Sequence, residues 1–417
     1  MDYWGEGREA KMKNISGKMV LILFHKYFEN KDIDMFDIAE IKRQGFDVEI
    51  WILVKLSYSF NIGKPRNCYE GKEVTEFVTL NQIEKRISKM NMRKSFFITY
   101  PGEAYDDISN AVRRNIVIHK GKYANYYYPL HLSVTPNLAK RSDNFFDVVK
   151  EYSYSWRNNQ YKMYCDIKLL WNTFRYPSSY EFIQGEAGYG HIRNKFIGLS
   201  KKCIKLHSID MDTYIRNKGK QRNNDIPKET FAVFVDQYME GHSDFKKDGI
   251  KSPICSRERY YTELNNFFSM IEKIYDCKIV IALHPKAEYR DNPFQGRQMI
   301  SNQTHALIEN AAFCILHDST CFSFILYNKK PFYQIITTDM RQDELTNKCI
   351  MEYEKQGFSK VCDISLLEEE KIKDYLNVYN ADIHELYVDY FMGAKNNSSL
   401  LNMSVICKLI KKEWEKR

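Results

Sequence analysis

Three groups of polar residues in the second half of this 417-residue sequence have the types and spacing that chemistry on a phosphate requires. The first group follows the apolar run Phe231–Val235, where Asp236 is succeeded by Glu240 and Gly241 in a polar loop. A carboxylate at the end of a buried strand is well placed to act as a general base. A solvated acidic loop that only begins the next helix is the alternative, and both interpretations stay open at this point.

The second group is His284, Pro285 and Lys286, which end a short β-branched run. Proline restricts the backbone here, and the preceding imidazole would project beyond the strand, where it could contact an anion. A lone His-Pro pair at a strand end is more often structural. Taken alone, this motif therefore predicts a strand end and only suggests a binding site.

The third group, His317, Asp318, Ser319 and Thr320, lies between a predicted strand and a predicted helix. Hydroxyls and backbone amides at the start of a helix suit a phosphate oxygen. The competing interpretation is a simple helix N-cap. The order and spacing of all three groups in one domain favour a shared function more strongly than any one group does.

The elements that must position these groups alternate between strand-like and helix-like patterns. The predicted strands of the second half cover residues 231–235, 278–283, 314–316 and 329–337, and a helix is predicted at 305–313. This order is typical of a parallel sheet flanked by helices, whose ligands bind outside the carboxyl ends of the strands. We therefore expect the three groups at one edge of the sheet.

The first half shows the same α/β rhythm but no G-x-G-x-x-G fingerprint, which disfavours a nicotinamide or flavin site. Its predicted strands are 18–25, 46–54, 95–100, 115–119 and 203–206, with a strand and glycine-rich turn at 180–190, and its predicted helices are 33–44, 80–91 and 107–113. The tyrosine-rich stretch 120–175 is predicted to be irregular, and core packing is favoured over stacking on sugars or bases.

Two domains are predicted, because a polar, basic stretch near residues 216–228 interrupts the pattern before it restarts. We predict a first α/β domain at residues 1–215 and a second at 216–395. The apolar face of the segment 396–417 predicts a final helix that packs back on the first domain.

Composition limits the class of protein. The chain is 44 % hydrophobic and carries a net charge of +8, which indicates packed cores with either a solvated basic surface or an attraction to anions. Its ten cysteines form no C-x-x-C pair, and no segment predicts a signal peptide or a membrane span. We therefore expect a cytoplasmic protein, with peripheral contact to the inner face of the plasma membrane as its closest approach to lipid. The mixed charges disfavour nucleic acid as a partner.

The three groups together resemble the motif series of bacterial sialyltransferases and related CMP-sugar glycosyltransferases of GT-B fold. The resemblance extends from Phe231 to Pro331, and the runs VDQYMEGHSD, LHPKAEY, GRQMI and HDSTCFSFILYNKKPF also resemble bacterial capsule and surface-polysaccharide proteins. It implies two Rossmann-like domains whose parallel sheets face a central cleft. It also implies an inverting transfer of a nonulosonic acid (sialic, pseudaminic or legionaminic acid, or Kdo) to a glycan acceptor in surface-polysaccharide synthesis.

The resemblance also implies roles for individual residues. Asp236 would be the base, with Glu240-Gly241 as the alternative, and His284 would contact the CMP phosphate and stabilise the leaving group. Ser319 and Thr320 would bind the same phosphate. Five further residues are expected to contact the nucleotide: Gly241, Pro285, Lys286, His317 and Glu309. No metal or other cofactor is expected, because a single phosphate carries less charge than a diphosphate.

Two other functions stay open from the sequence. One is a transferase of the same fold that moves a polyol phosphate from a CDP-activated donor, since such enzymes also resemble the chain in the His284-Pro285 pair. The other is a non-catalytic polysaccharide-assembly protein on a degenerate transferase fold. Product analysis separates the first from a glycosyltransferase, and loss of turnover on substitution of His284 separates an enzyme from the second.

Overall fold

The structure is a computed structural model that describes residues 17–57, 64–65, 67–101, 106–127, 167, 171–172, 174–185, 202–217, 225–241, 252, 254, 256–393, 395 and 400–415. The chain divides into two compact units. The first comprises Met1–Pro129, Arg141–Ile215 and Lys395–Arg417, and the second comprises Leu130–Lys140 and Arg216–Ala394. The structure does not describe His242 and Asp244, which follow Gly241 in the polar loop after Asp236, or most of the tyrosine-rich stretch.

The first unit is built on a parallel sheet with the strand order β3-β2-β1-β4-β5-β6-β7. Its strands are β1 (Gly17–Leu23), β2 (Phe46–Ile52), β3 (Val74–Glu76), β4 (Ser95–Tyr100), β5 (Lys122–Tyr126), β6 (Tyr180–Gln184) and β7 (Cys203–Leu206). The central strand β1 is an unbroken apolar run because helices cover both faces of a parallel sheet. The chain reverses its direction of winding between β1 and β4, so this unit has a topological switch point there.

The helices of the first unit connect these strands. They are α1 (Asn30–Met35), α2 (Ile38–Arg43), α3 (Val54–Ser57), α4 (Leu80–Ser88), α5 (Asp107–Ile118) and α6 (Ile209–Asn217), with a 3₁₀ turn at Met92–Lys94. The single helix predicted at 33–44 is two helices, because Asp37 adopts a left-handed conformation (φ 41°) and caps α2 through the Glu40 N–H. The strand predicted at 115–119 is wrong: those residues continue α5, and β5 follows inside the tyrosine-rich stretch.

The second unit has its own parallel sheet, with the order β10-β9-β8-β11-β12-β13. Its strands are β8 (Phe231–Val235), β9 (Lys278–Ala282), β10 (Met299–Ile300), β11 (Cys314–Leu316), β12 (Phe332–Ile336) and β13 (Val361–Asp363). Its switch point lies between β8 and β11. The prediction of two α/β domains with parallel sheets is confirmed.

Helices flank this second sheet. They are α7 (Arg257–Tyr275), α8 (Thr304–Asn310), α9 (Phe322–Tyr327), α10 (Thr338–Gln342), α11 (Glu344–Lys355) and α12 (Ala381–Tyr387), with a 3₁₀ segment at Glu369–Tyr375 and a π segment at Val388–Met392. The longest of them, α7, buries one apolar face against β8 and β9. In the described part of the chain, no helix is long and apolar enough to cross a membrane.

A last helix, α13 (Asn402–Glu415), belongs to the first unit and completes its core. Its buried residues Val405, Ile406 and Ile410 join the same apolar cluster as β1 and β2. The Trp414 ring lies so close to Gly17 that a Cβ at Gly17 would come within 2.0 Å of it. The Glu413 carboxylate accepts a hydrogen bond from Lys122 at 2.7 Å, which ties the end of the helix to β5.

Candidate functional site

The carboxyl edge of the second sheet brings most of the predicted residues together at its switch point. Asp236 follows β8, His284 follows β9 and His317 follows β11. The Gln237 side chain bridges the first and third of these loops by accepting a hydrogen bond from the Asp318 N–H at 3.0 Å. Neighbouring strands lie about 4.8 Å apart, so the ends of β9 and β11 are separated by about 10 Å. That span suits an anionic group of phosphate size.

Asp236 lies beneath this edge and is 4 % exposed. Its carboxylate accepts hydrogen bonds from the Tyr238 N–H at 2.9 Å and from the Tyr289 hydroxyl at 3.0 Å, with a longer contact of 3.4 Å from the His284 N–H. Burial raises the pKa of Asp236 to about 6, although these donors oppose the rise. The carboxylate is turned into the protein, so this geometry favours a role in holding the loops over the predicted role of base.

Glu240 and Gly241 are also engaged within the loops. Glu240 accepts a hydrogen bond from Arg257 at 2.8 Å, and Arg257 also donates to Asp291 at 2.9 Å. This bridge joins the loop after β8 to the start of α7 and to the segment after β9. A Cβ at Gly241 would lie 2.6 Å from the Tyr238 hydroxyl, so the glycine makes room for that ring. For both residues the structure supplies a structural reason that the sequence interpretation lacked.

His284 is half-buried and has a defined tautomer. Its Nδ1 accepts a hydrogen bond from the Lys286 N–H at 3.2 Å, so the neutral ring carries its proton on Nε2. An Nε2–H group at the end of a strand can donate to a phosphate oxygen. Pro285 is exposed, and the Ala287 N–H closes the turn on the His284 carbonyl at 2.8 Å.

The predicted role of His317 in nucleotide binding is wrong for its side chain. The ring is fully buried, its Nδ1 donates to the Ile335 carbonyl at 2.8 Å, and its Nε2 accepts from the Tyr260 hydroxyl at 3.0 Å. Burial lowers the pKa of His317 to about 4, so the ring is neutral at physiological pH. Both nitrogens are used inside the core, and the residue fixes the end of β11 against β12 and α7.

The loop from Asp318 to Cys321 keeps polar groups at the edge. The Asp318 carboxylate accepts from the Tyr353 hydroxyl at 2.8 Å, and the Ser319 hydroxyl accepts from the Cys321 N–H at 3.2 Å. Thr320 is exposed. Across the described residues, no hydrogen-bond acceptor faces the backbone N–H of Ser319 or of Thr320. The loop therefore presents two backbone amides and one exposed hydroxyl, groups that could bind an anion.

Glu309 does not belong to this edge. It is exposed near the end of α8, just before the chain enters β11. The adjoining Ala312 N–H bonds to the carbonyl of Phe231, the first residue of β8, at 2.9 Å. Glu309 therefore lies toward the amino edge of the sheet, at the opposite end from His284, and is not among the residues that the carboxyl edge brings together.

Several residues of the edge were missed by sequence reasoning. Tyr289 and Tyr260 belong to none of the three polar groups, yet their hydroxyls bond to Asp236 and His317. Gln237 follows Asp236 directly but has no motif of its own. The signal available was weak: a polar residue next to a motif residue, and a tyrosine five positions after His284.

In the first unit, a histidine and an aspartate lie side by side at the carboxyl edge of its own sheet. His25 lies just past β1, and Asp106 caps α5 by accepting from the Ser109 N–H at 2.8 Å. The His25 Nε2 and Asp106 Oδ2 are 2.8 Å apart. Burial alone would raise the pKa of Asp106, but the bonds from His25 and Ser109 outweigh it and hold that pKa below its usual value. An imidazole oriented by a carboxylate can accept a proton.

Among the described residues, no group of three or more His, Cys, Asp or Glu side chains is arranged to hold a metal ion. The donors at the edge of the second sheet are an imidazole, a hydroxyl and backbone amides. Such groups suit an anion better than a hard cation, which prefers carboxylate and carbonyl oxygens.

The sequence matches no protein-family model. A comparison with curated proteins finds no significant match. Among solved structures, the chain is similar to the wall teichoic acid polymerase TagF, with 11 % identity, a TM-score of 0.53, and coverage of 97 % of this chain and 90 % of TagF. A histidine variant of TagF gives a TM-score of 0.51 at the same identity and coverage.

A further TagF variant, soaked with CDPG, is similar at 11 % identity and a TM-score of 0.50, over 98 % of this chain and 91 % of that one. At this level of identity the likeness extends to the fold alone. It spans both units of the chain and confirms the GT-B-like architecture that the sequence predicted.

Proposed function

We propose that this chain is a transferase that uses a cytidine-nucleotide-activated donor and binds the donor phosphate at the carboxyl edge of the second sheet. The observation that carries the proposal is the placement of donors on both sides of the switch point. The His284 imidazole follows β9 with its Nδ1 bonded to the Lys286 N–H, and the Ser319 and Thr320 amides follow β11 with no acceptor among the described residues.

The chemistry follows from where negative charge develops. When the bond between the donor group and its nucleotide breaks, charge grows on the phosphate that leaves. Preorganised N–H and O–H donors stabilise that charge. Removing one such donor from a comparable site lowers the rate about 10²–10³-fold. The edge described here needs no rearrangement of its own backbone to present such donors.

The first candidate for the transferred group is a polyol phosphate carried by CDP. TagF, whose fold this chain shares across both units, is a wall teichoic acid polymerase that was soaked with CDPG, a CDP-glycerol donor. In that reaction the acceptor hydroxyl attacks the distal phosphate and CMP leaves.

The second candidate is transfer of a nonulosonic acid from its CMP-activated form to a glycan acceptor with inversion. The order of the motifs favours it, because carboxylate-Gly, His284-Pro285 and Ser319-Thr320 follow one another as in bacterial sialyltransferases. Here the bond that breaks joins the sugar to the phosphate, and the transferred group carries no phosphorus. We place either reaction in the cytoplasm, with surface-polysaccharide synthesis as the process, a lipid-linked glycan as acceptor, and peripheral membrane contact.

A proton acceptor for the attacking hydroxyl is also needed. Asp236 and Glu240 spend their carboxylates on hydrogen bonds within the loops, so we propose that neither of them supplies it.

Calorimetric titration with CMP, CDP, UDP and GDP, each with and without EDTA, tests the proposal. We expect binding of CMP and CDP at micromolar concentrations and much weaker binding of UDP and GDP. A preference for UDP or GDP contradicts it. Mass spectrometry of the products then separates the two candidates, since only polyol-phosphate transfer adds phosphorus to the acceptor.

A non-catalytic assembly protein would behave differently. It would bind a cytidine nucleotide without releasing CMP from any donor. Turnover that is lost in His284→Ala while the thermal unfolding temperature is kept would exclude that alternative.

A further inference from the structure

The carboxylate of Asp236 is the meeting point of three segments. Tyr238 comes from its own loop, and His284 and Tyr289 come from the segment after β9. The Tyr289 hydroxyl bridges both carboxylate oxygens at 3.0 Å, and the Tyr261 hydroxyl of α7 donates to that of Tyr289 at 3.4 Å. A relay of hydroxyls therefore connects helix α7 to the carboxylate and to the backbone of His284.

We infer that Asp236 and Tyr289 are positioning residues that set the backbone and ring of His284 for the donor phosphate, and that Asp236 does not act as the base. The inference rests on the proposed function for the identity of the ligand. Its structural half, the dependence of the His284 ring on Asp236 and Tyr289, holds in the ligand-free protein.

Geometry separates a positioning carboxylate from a basic one. A general base must come within hydrogen-bond reach of the hydroxyl it deprotonates. The Asp236 oxygens instead face a tyrosine hydroxyl and two backbone amides, and the side chain is 4 % exposed. A carboxylate that is already the acceptor of these donors has little capacity left for a proton from outside.

The group also has a distinctive response to pH. Protonation turns one oxygen of Asp236 into a donor and weakens its bonds to Tyr289 and to the His284 N–H. Because the pKa of Asp236 is about 6, the His284 loop should loosen as the pH falls through that value.

Several other charged or titratable groups face Asp236, and they are the same in the wild type and in the variants tested. They are Glu240 and Tyr238 on its own loop, Arg257, Tyr260 and Tyr261 on α7, and His317, which reaches it through Tyr260. Arg257 is paired with Glu240 and Asp291 and so offsets their charge. Burial raises the pKa of both Tyr260 and Tyr261, so neither loses its proton below pH 9.

The test compares Asp236→Asn, Tyr289→Phe and a matched control, Tyr275→Phe. Tyr275 lies at the far end of α7 and bonds to the Tyr333 hydroxyl at 2.7 Å, so its substitution also removes one tyrosine–tyrosine hydrogen bond from the second unit. Dissociation constants for CMP and CDP are measured by calorimetry between pH 5.5 and 8, with kcat for whichever donor is turned over. The His284 imidazole is followed by NMR without ligand, with its signal assigned by His284→Gln.

We expect Asp236→Asn and Tyr289→Phe to shift the His284 signal, to weaken CMP binding by about tenfold at pH 7.5, and to change kcat at saturation by less than about fivefold. Wild-type affinity should fall below pH 6, and this fall should be absent in Asp236→Asn. The control should match the wild type in all three measurements.

Two results would overturn the inference in different ways. If Asp236→Asn lowers kcat a hundredfold with an unchanged dissociation constant, and Tyr289→Phe is silent, then Asp236 is the base and the proposed function survives. If the His284 signal moves as expected but no cytidine nucleotide binds the wild type, the proposed function fails and the positioning of a donor phosphate fails with it.

Discussion

Replacing Asp236 by asparagine should change how the stability of the second unit depends on pH. The pKa of this carboxyl is about 6 in the folded protein and 3.8 in its ordinary environment, because burial penalises the charged form. A raised pKa contributes stability that is complete below the ordinary value and is lost as pH rises through the folded value. The difference of about 2 pKa units corresponds to about 3 kcal/mol, so wild-type stability should fall by that order between pH 4 and pH 7. Asparagine does not titrate. The free energy of unfolding of the wild type should therefore fall by this amount relative to that of Asp236→Asn as the pH rises.

Urea unfolding at pH 4.5, 5.5, 6.5 and 7.5 measures this difference. All five tryptophans lie in the first unit, so tryptophan fluorescence reports that unit, and near-ultraviolet circular dichroism of tyrosines adds the second. Glu413→Gln is the opposite control, since hydrogen bonding to Lys122 lowers the pKa of Glu413 to about 2 and its contribution is lost only as pH falls below about 4. If the free energies of Asp236→Asn and wild type differ by a constant across pH 4.5–7.5, the carboxyl is not held in a raised state and the account of its burial is wrong.

Three further predictions concern other parts of the molecule. Thr320→Val should weaken CMP binding by about tenfold or more, because it removes a hydroxyl from the loop of Ser319 and Thr320, where we propose that the phosphate binds. Glu309→Gln at the amino edge should leave the calorimetric dissociation constant unchanged. Equal effects of the two substitutions would refute the placement of the site. His25→Gln should destabilise the first unit by about 1–3 kcal/mol, because it removes the side-chain partner of Asp106; urea unfolding measures this, and an unchanged midpoint would contradict the bond. Trp414→Ala should destabilise the first unit by about 2–4 kcal/mol, because it opens a cavity over Gly17. Urea unfolding, followed by the fluorescence of the remaining tryptophans, measures the change. An unchanged midpoint would contradict the packing of the Trp414 ring on Gly17.

The strands at the site could be predicted because their patterns are local. The runs that became β8, β9 and β11 are short, apolar and β-branched, and each ends in a polar motif, so strand and loop follow from neighbouring residues. The same logic failed at residues 115–119. Their three consecutive β-branched residues suit a strand, but they follow the capped start of α5 at Asp106 and continue its helical face.

The side-chain roles could not be predicted in the same way, since they depend on burial and on partners distant in sequence. His317 and His284 look equivalent as strand-end histidines. The first is enclosed by Tyr260 and Ile335, whereas the second bonds to its own turn through Lys286. Asp236 changes from a predicted base to a structural acceptor only when Tyr289, 53 positions away, is seen to donate to it.

The helix α13 has a consequence for how the protein reaches its folded state in a cell. Strand β1 emerges from the ribosome early, yet residues of Asn402–Glu415 are needed to cover its apolar surroundings. The second unit, which is encoded between them, can bury its own core while the first is still open. During translation the apolar surroundings of β1 therefore stay uncovered until residue 415 has been made. A ribosome stalled shortly before that point would carry an exposed apolar face, the kind of surface that chaperones bind.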